Sequence, residues 1–220
     1  MVTRLVDLSH PIEHGMITYP GLPAPVIGDW LSREGSRGRY APGTTFHIGK
    51  IEMVANTGTY VDAPFHRHEH AIDVAGFPLD AVADLEGCVV RAAGRGRPRD
   101  ASLFGRQDVR GKAVLVHTGW DAHWRTDAYG TGHPFLTRDA TEALIHGGAA
   151  LVGIDSLNID DTADGSRPAH TLLLGAGIPI VEHLTNLGAL PDAGFRFYAV
   201  PPPVIGMGSF PVRAFARLDG

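Results

Sequence analysis

Asn56-Thr-Gly-Thr-Tyr-Val-Asp62-Ala-Pro-Phe-His66-Arg-His-Glu-His70 gathers two carboxylates, three imidazoles and a phenol into one short stretch. Asp62 and His66 are four apart, the spacing of one helix face. Pro64 between them lacks a backbone donor and pushes Ala63 out of the α region, so a helix is excluded. A straight strand is excluded too, because it would leave the two side chains roughly 13 Å apart. The chain must therefore turn near Pro64-Phe65. Gly58 upstream permits positive φ or a close backbone approach, which suits the wall of a tight polar pocket.

Working outward, Thr45–Ala55 alternates, with Phe46 and Ile48 on one face and Ile51 and Met53 on the other. The alternation predicts a strand buried on both sides that delivers Asn56 at its end. Before it, Arg4–Ser9 reads as a first strand ended by His10-Pro11. The proline-rich loop Ile12–Ile27 presents Tyr19 as a candidate substrate contact. After it come a short helical pattern at Leu79–Leu85 and a strand at Leu85–Arg91. Ala113–Thr118 is an apolar run of the kind expected of a central strand covered on both faces. Thr137 is placed to cap a helix over 137–146, which Gly147-Gly148 ends before the apolar strand Ala150–Ile154. Strand, helix and strand at this spacing predict a right-handed βαβ unit with parallel strands. Ser166 is placed to cap a second helix over 167–174 carrying His170, and a strand over Ile178–Val181 ends at Glu182. Phe195–Val200 and Val212–Ala216 read as closing strands. Asp155, Asp160 and Asp161 lack the ligand spacing of a calcium loop and are assigned turn and capping roles.

The chain has 220 residues, 44% of them apolar, enough for one substantial core; we read residues 1–220 as a single domain. Its 19 basic and 24 acidic residues are spread along the chain and sum to −5, so no basic face is on offer to nucleic acid or an anionic membrane. The lone cysteine, Cys88, sits in an apolar run and reads as buried, which suits a reducing compartment. No apolar run reaches signal-peptide or membrane-span length, and a soluble, cytoplasmic protein is expected.

Chemically loaded residues thus fall at the ends of elements: Asp62 and His66, His170, and Glu182. Carboxylates and imidazoles suit a first-row divalent ion such as zinc or manganese. Paired polar groups without a metal would have the same composition, and spacing alone does not separate the two. No Gly-x-Ser-x-Gly elbow or phosphate-cradling loop is present, against a serine hydrolase or a nucleotide enzyme.

The order of the segments adds to this. Asp-Leu-Ser-His-Pro-Ile at 7–12, Tyr-Pro-Gly at 19–21, Thr-Gly-Thr-Tyr-Val-Asp-Ala-Pro-Phe-His at 57–66, His-Thr-Gly-Trp at 117–120, Val-Gly-Ile-Asp-Ser at 152–156, and His170 followed by Ile-Val-Glu-His-Leu-Thr-Asn-Leu at 180–187 together resemble the cyclase family. That family includes bacterial kynurenine formamidases and isatin hydrolases. The resemblance covers nearly the whole chain and implies an α/β fold of the swivelling β/β/α type, a mixed sheet with flanking helices, in a homodimer or homotetramer. It further implies metal-dependent hydrolysis of an amide, formamide or cyclic amide. Carried over, Asp62, His170 and Glu182 are metal ligands, His66 is the general acid/base, and Tyr19 faces a small-molecule substrate; Asn56 is read as a substrate contact beside it.

The chain departs from the family motif at two positions. Where that motif, His-x-Gly-Thr-His-x-Asp-x-Pro-x-His, has its first two histidines, this sequence has Asn56 and Tyr60. An amide is a poor ligand and a neutral phenol a worse one, so the expectation becomes one divalent ion per chain, with Tyr60 free to donate a hydrogen bond to a developing oxyanion. Two other readings remain beside hydrolysis: a catalytically silent ligand-binding member of the same fold, and a metal-dependent lyase or dehydratase.

Overall fold

The apolar runs that read as central strands lie at the middle of a nine-stranded sheet in the computed structural model, which describes residues 3–105 and 107–218. In chain order the strands are β1 (Arg4–Asp7), β2 (Val26–Leu31), β3 (Ile48–Glu52), β4 (Tyr60–Asp62), β5 (Leu85–Arg91), β6 (Pro98–Arg99), β7 (Lys112–His117), β8 (Phe135–Leu136), β9 (Leu151–Ile154), β10 (Ile180–Glu182), β11 (Ala193–Tyr198), β12 (Ser209–Pro211) and β13 (Phe215–Leu218). The helices are α1 (Arg138–Gly147), between β8 and β9, and α2 (Pro168–Gly175), between β9 and β10.

The large sheet runs β1-β13-β11-β5-β7-β9-β10-β4-β12. Its centre, β5-β7-β9-β10, is parallel, and the flanking strands are antiparallel. The βαβ unit predicted from β7, α1 and β9 is therefore present. Alternation along each central strand divides the interior in two. Val114, Val116, Val152, Ile154 and Ile180 pack against α1 and α2 through Leu144 and Leu173. Ala113, Leu115, Leu151 and Val181 face the other way, onto Phe197, Ala216 and Leu184. The result is an α/β fold with a mixed sheet and flanking helices.

Several expectations need correction: Leu79–Leu85 forms only a 3-10 turn over Leu79–Ala81, and of Val212–Ala216 only Phe215 and Ala216 lie in a strand. The stretch 45–55 is not a strand buried on both sides: β3 is exposed along its whole length and pairs only with β2, as a two-stranded ribbon outside the main sheet. Its apolar side chains, Ile48 and Ile51, are exposed with Ile27 and Trp30 of β2. Thr137 stands at the N-cap of α1 but makes no side-chain cap; its hydroxyl turns to Asp139 and the Arg99 carbonyl. Ser166 does not cap α2 either. Arg167 holds the N-cap position with left-handed φ of 46°, while the first free N–H groups, of Ala169 and His170, donate to Asp160.

Candidate active site

The register of three neighbouring strands builds the site. β4 lies between β10 and β12, with Tyr60 opposite Glu182 on one side and Asp62 opposite Ser209 on the other. Side chains alternate along a strand, so Tyr60 and Asp62 share a face, while Val61 between them enters the core cluster with Val181. The chain then turns where Pro64 demands it, through a 3-10 turn at Pro64–His66 that returns His66 over Asp62. Gly208 makes this return possible: a Cβ there would lie 2.7 Å from the His66 Cα. Gly58 takes φ of +68°, as its position suggested.

Asp62 is fully buried, and its two oxygens serve different partners. Oδ1 accepts from the Ser209 hydroxyl in a short bond and from Asn56 Nδ2 at 3.5 Å. Oδ2 has no hydrogen-bond partner and lies 3.7 Å from His170 Nε2. His170 is buried on α2. Its Nδ1 sits 2.6 Å from Asp160 Oδ2, the same carboxylate that caps the helix, so Nε2 is directed at Asp62 and, also at 3.7 Å, at Glu182 Oε1. Glu182 is fully buried; Tyr60 donates to its Oε2 at 2.5 Å and the Ile159 N–H to its Oε1 at 2.7 Å.

Burial disfavours charge on each of these groups, and the groups answer by compensating one another. Burial acts to lower the His170 imidazole, but the carboxylates of Glu182, Asp160 and Asp62 outweigh it and hold it up at about 10. Burial pushes Glu182 up, to about 7, with His170 pulling the other way. Asp62 is held below the usual carboxylate range: burial opposes this, and His170, His66 and Ser209 prevail. The Tyr60 phenol is pushed well up, by burial first and then by Glu182 and Asp62. A cluster with three buried carboxylates and one imidazole is built for a positive charge.

His66 is half-exposed, with Nδ1 3.0 Å from the Ser209 hydroxyl. That hydroxyl gives its hydrogen to Asp62, so it accepts from His66 Nδ1–H. In its neutral form the ring is thereby the tautomer whose lone pair lies on Nε2. His66, Asn56 and Tyr19 line a cavity of about 350 Å³ with Tyr60, His170 and Glu182. All the residues singled out from the sequence thus meet at one place. Among the described residues, the set of possible ligand atoms lying within 4.8 Å of one another is Asp62, His66 and His170. His68 turns away from this set, onto the Thr171 carbonyl. Trp124 stacks on His10, and Trp120 and His133 bond to backbone carbonyls, all as packing. Cys88 is buried, its thiol pushed up to about 11 by burial.

The Cyclase family model matches residues 6–161, most of the chain. The chain belongs to the cyclase family. Among curated relatives it is 29% identical to a kynurenine formamidase of Paracidovorax citrulli over 220 residues, covering 97% of this chain and 96% of that one. It is 28% identical to a kynurenine formamidase of Salinibacter ruber, covering 97% of each. Among solved structures it is similar in fold to isatin hydrolase A from Labrenzia aggregata, with a TM-score of 0.84, 22% identity, and 99% and 94% of the two chains covered.

Sequence reasoning missed Ser209, Asp160 as the partner of His170, and the cavity arginines Arg67 and Arg167. Ser209 carries a faint signal, a polar residue directly after Gly208 in an otherwise apolar Gly-Ser-Phe-Pro stretch. Among the described residues no helix is long and apolar enough to cross a membrane.

Proposed function

We propose that this chain is a metal-dependent hydrolase that cleaves the C–N bond of a small amide, formamide or cyclic amide with one divalent ion, zinc or manganese, per chain. The observation that carries the reading is Asp62 Oδ2: a fully buried carboxylate oxygen with no hydrogen bond, facing an imidazole nitrogen whose ring is held from behind by a second carboxylate. A buried carboxylate oxygen without a hydrogen bond is costly, and a histidine backed by a carboxylate is how proteins orient metal ligands. The residues fit one ion and do not fit two. Asp62, His170 and Glu182 would hold it, whereas Asn56 bonds to Ser209 and the Tyr60 hydroxyl is committed to Glu182. When bound, such an ion supplies positive charge that polarises a carbonyl and acidifies water.

The chain's own residues do the rest. His66 stands on the Oδ1 side of Asp62, the other oxygen facing His170, which separates the proton-transfer group from the ligands although all three lie close together. With Nδ1–H given to Ser209, Nε2 takes a proton from the attacking water and returns it to the leaving nitrogen. Tyr60 acts on Glu182, holding Oε2 in place, instead of on the substrate. Tyr19 covers the ring or acyl group from the loop side of the cavity. Names borne by the relatives, kynurenine formamidase and isatin hydrolase, supply the C–N bond as the one cleaved.

The test is hydrolysis of formanilide and isatin by protein stripped with a chelator and then reloaded with zinc or manganese, with products identified. Activity that disappears on stripping and returns on reloading, with carboxylate and amine as products, supports the reading. Undiminished activity in stripped protein, or release of water or an alkene instead, refutes it.

A further inference from the structure

Arg67 and Arg167 reach the same cavity from two segments, Arg67 directly after His66 and Arg167 directly before α2. Each is fixed in place. Arg67 donates from Nε to Thr171 Oγ1 at 3.0 Å and from Nη2 to the Ser166 carbonyl at 3.2 Å, which ties it to the residue preceding Arg167. Arg167 donates from Nη1 to Asn158 Oδ1 at 3.0 Å and takes up a left-handed backbone, with φ of 46°, that a side-chain-bearing residue rarely adopts.

What the two guanidinium groups lack is an anion. Arg91, Arg97, Arg125 and Arg213 each sit on an aspartate or glutamate. Among the described residues, no carboxylate oxygen lies within 4.0 Å of Arg67 or Arg167. Asp164 in the same loop feels the charge of Arg167, but its Oδ1 is already taken by the Ser166 N–H and hydroxyl. Glu182, the acidic residue lining the cavity, is occupied as well, by Tyr60 and Ile159. Two cations brought together at the wall of a cavity, each with N–H groups to spare, match the fork geometry of a carboxylate.

Resting on the hydrolase reading above, we propose that Arg67 and Arg167 form a carboxylate-binding subsite, so that the amide cleaved here carries a carboxylate on its amine half. The amine half is indicated because Arg67 follows His66, the residue that returns the proton to the leaving nitrogen, and both line the same cavity. At about 350 Å³ that cavity takes a monocyclic substrate, with Leu22 and Tyr19 beside the ring. The subsite gives the two cations at the cavity wall an anionic partner in the bound substrate.

The experiment compares N-formylanthranilate with formanilide, which present the same formamide on the same ring with and without a carboxylate. The ratio of their kcat/KM values is measured for the metal-loaded protein and for R67Q, R167Q and the double variant. A bond to a charged group is worth about tenfold or more, so each single variant lowers the ratio by about 10-fold and the double by about 100-fold. Differences in intrinsic reactivity cancel when variants are compared with wild type. R167K, keeping charge without the fork, recovers only part of the loss. In parallel, calorimetric titration with the amine products anthranilate and aniline reads binding without turnover. Tighter binding of anthranilate, lost in the double variant, supports the subsite even if neither amide is cleaved, in which case the hydrolase reading alone falls. An unchanged ratio across folded variants, together with equal binding of anthranilate and aniline, overturns the subsite and leaves hydrolysis standing.

Discussion

Replacing Tyr60 by Phe removes a single hydroxyl, the one that donates to Glu182 Oε2 at 2.5 Å. The ring keeps its packing, so no cavity larger than one oxygen is left, and the change isolates the hydrogen bond. Both partners are buried, Tyr60 being 3% exposed and Glu182 fully enclosed, so water does not restore the lost bond. Loss of a hydrogen bond to a charged group costs about 1.5–3 kcal/mol. For a chain of this size each kcal/mol moves the melting temperature by about 2–4 °C, so metal-free Tyr60→Phe melts roughly 3–12 °C below the wild type. The bond also fixes the orientation of a carboxylate proposed to hold the ion, and losing such a support weakens metal binding by about 10–100-fold. Differential scanning fluorimetry of stripped and loaded protein, with competitive titration against a fluorescent chelator, reads both effects. Tyr60→Phe with unchanged melting temperature and unchanged metal affinity would show that Glu182 is neither held by Tyr60 nor part of the ion's surroundings.

Other outcomes follow from the same geometry. The double substitution N56H/Y60H restores two imidazoles beside Asp62 and raises the metal content to two ions per chain, checked by elemental analysis; a content still at one would show that these two positions do not limit the count. In the stripped protein His170 keeps its proton up to about 10, so an incoming ion displaces it, and affinity for zinc weakens about tenfold for each unit that pH falls from about 9 to about 7. The stability supplied by that imidazolium has the matching sign: it is full below about 6.5, the unfolded value, and is lost as pH rises through about 10, which thermal melts of stripped protein detect. The β2–β3 ribbon exposes Trp30, Ile27, Ile48 and Ile51 and has no core of its own, and isolated two-stranded ribbons are marginal in water. We therefore expect it to lie against a second copy of the chain, and Trp30→Glu to shift the sedimentation coefficient from that of a dimer or tetramer to that of a monomer; a wild-type monomer at micromolar concentration contradicts this.

The parallel centre of the sheet is legible in the sequence because an apolar run such as Ala113–Val116 has only one way to be satisfied, burial on both faces. The same rule misleads at Ile48–Glu52, where apolar side chains on both faces lie in a ribbon that this chain alone leaves bare. A single sequence records that a surface needs covering and is silent about what covers it. In the site, Asp62, His66, His170 and Glu182 are visible because their side-chain chemistry is unusual at the ends of strands and helices. Asp160 was readable as a cap, which it is; its second bond, to His170 Nδ1, depends on the fold of the loop between β9 and α2. Ser209 becomes functional only through the pairing of β12 with β4, a contact between residues 147 positions apart. Arg67 and Arg167 look like ordinary surface charge until the fold shows that neither has a carboxylate among the described residues.

On the reading proposed above, Asp62, His170 and Glu182 make one ion site, and Asn56 and Tyr60 remove the other. Elemental analysis of protein purified without added metal, beside the Asp62→Ala variant, measures the ion count itself. About one zinc or manganese per wild-type chain and none in the variant is expected; two ions per chain, or none in the wild type even after reloading, refutes the single site.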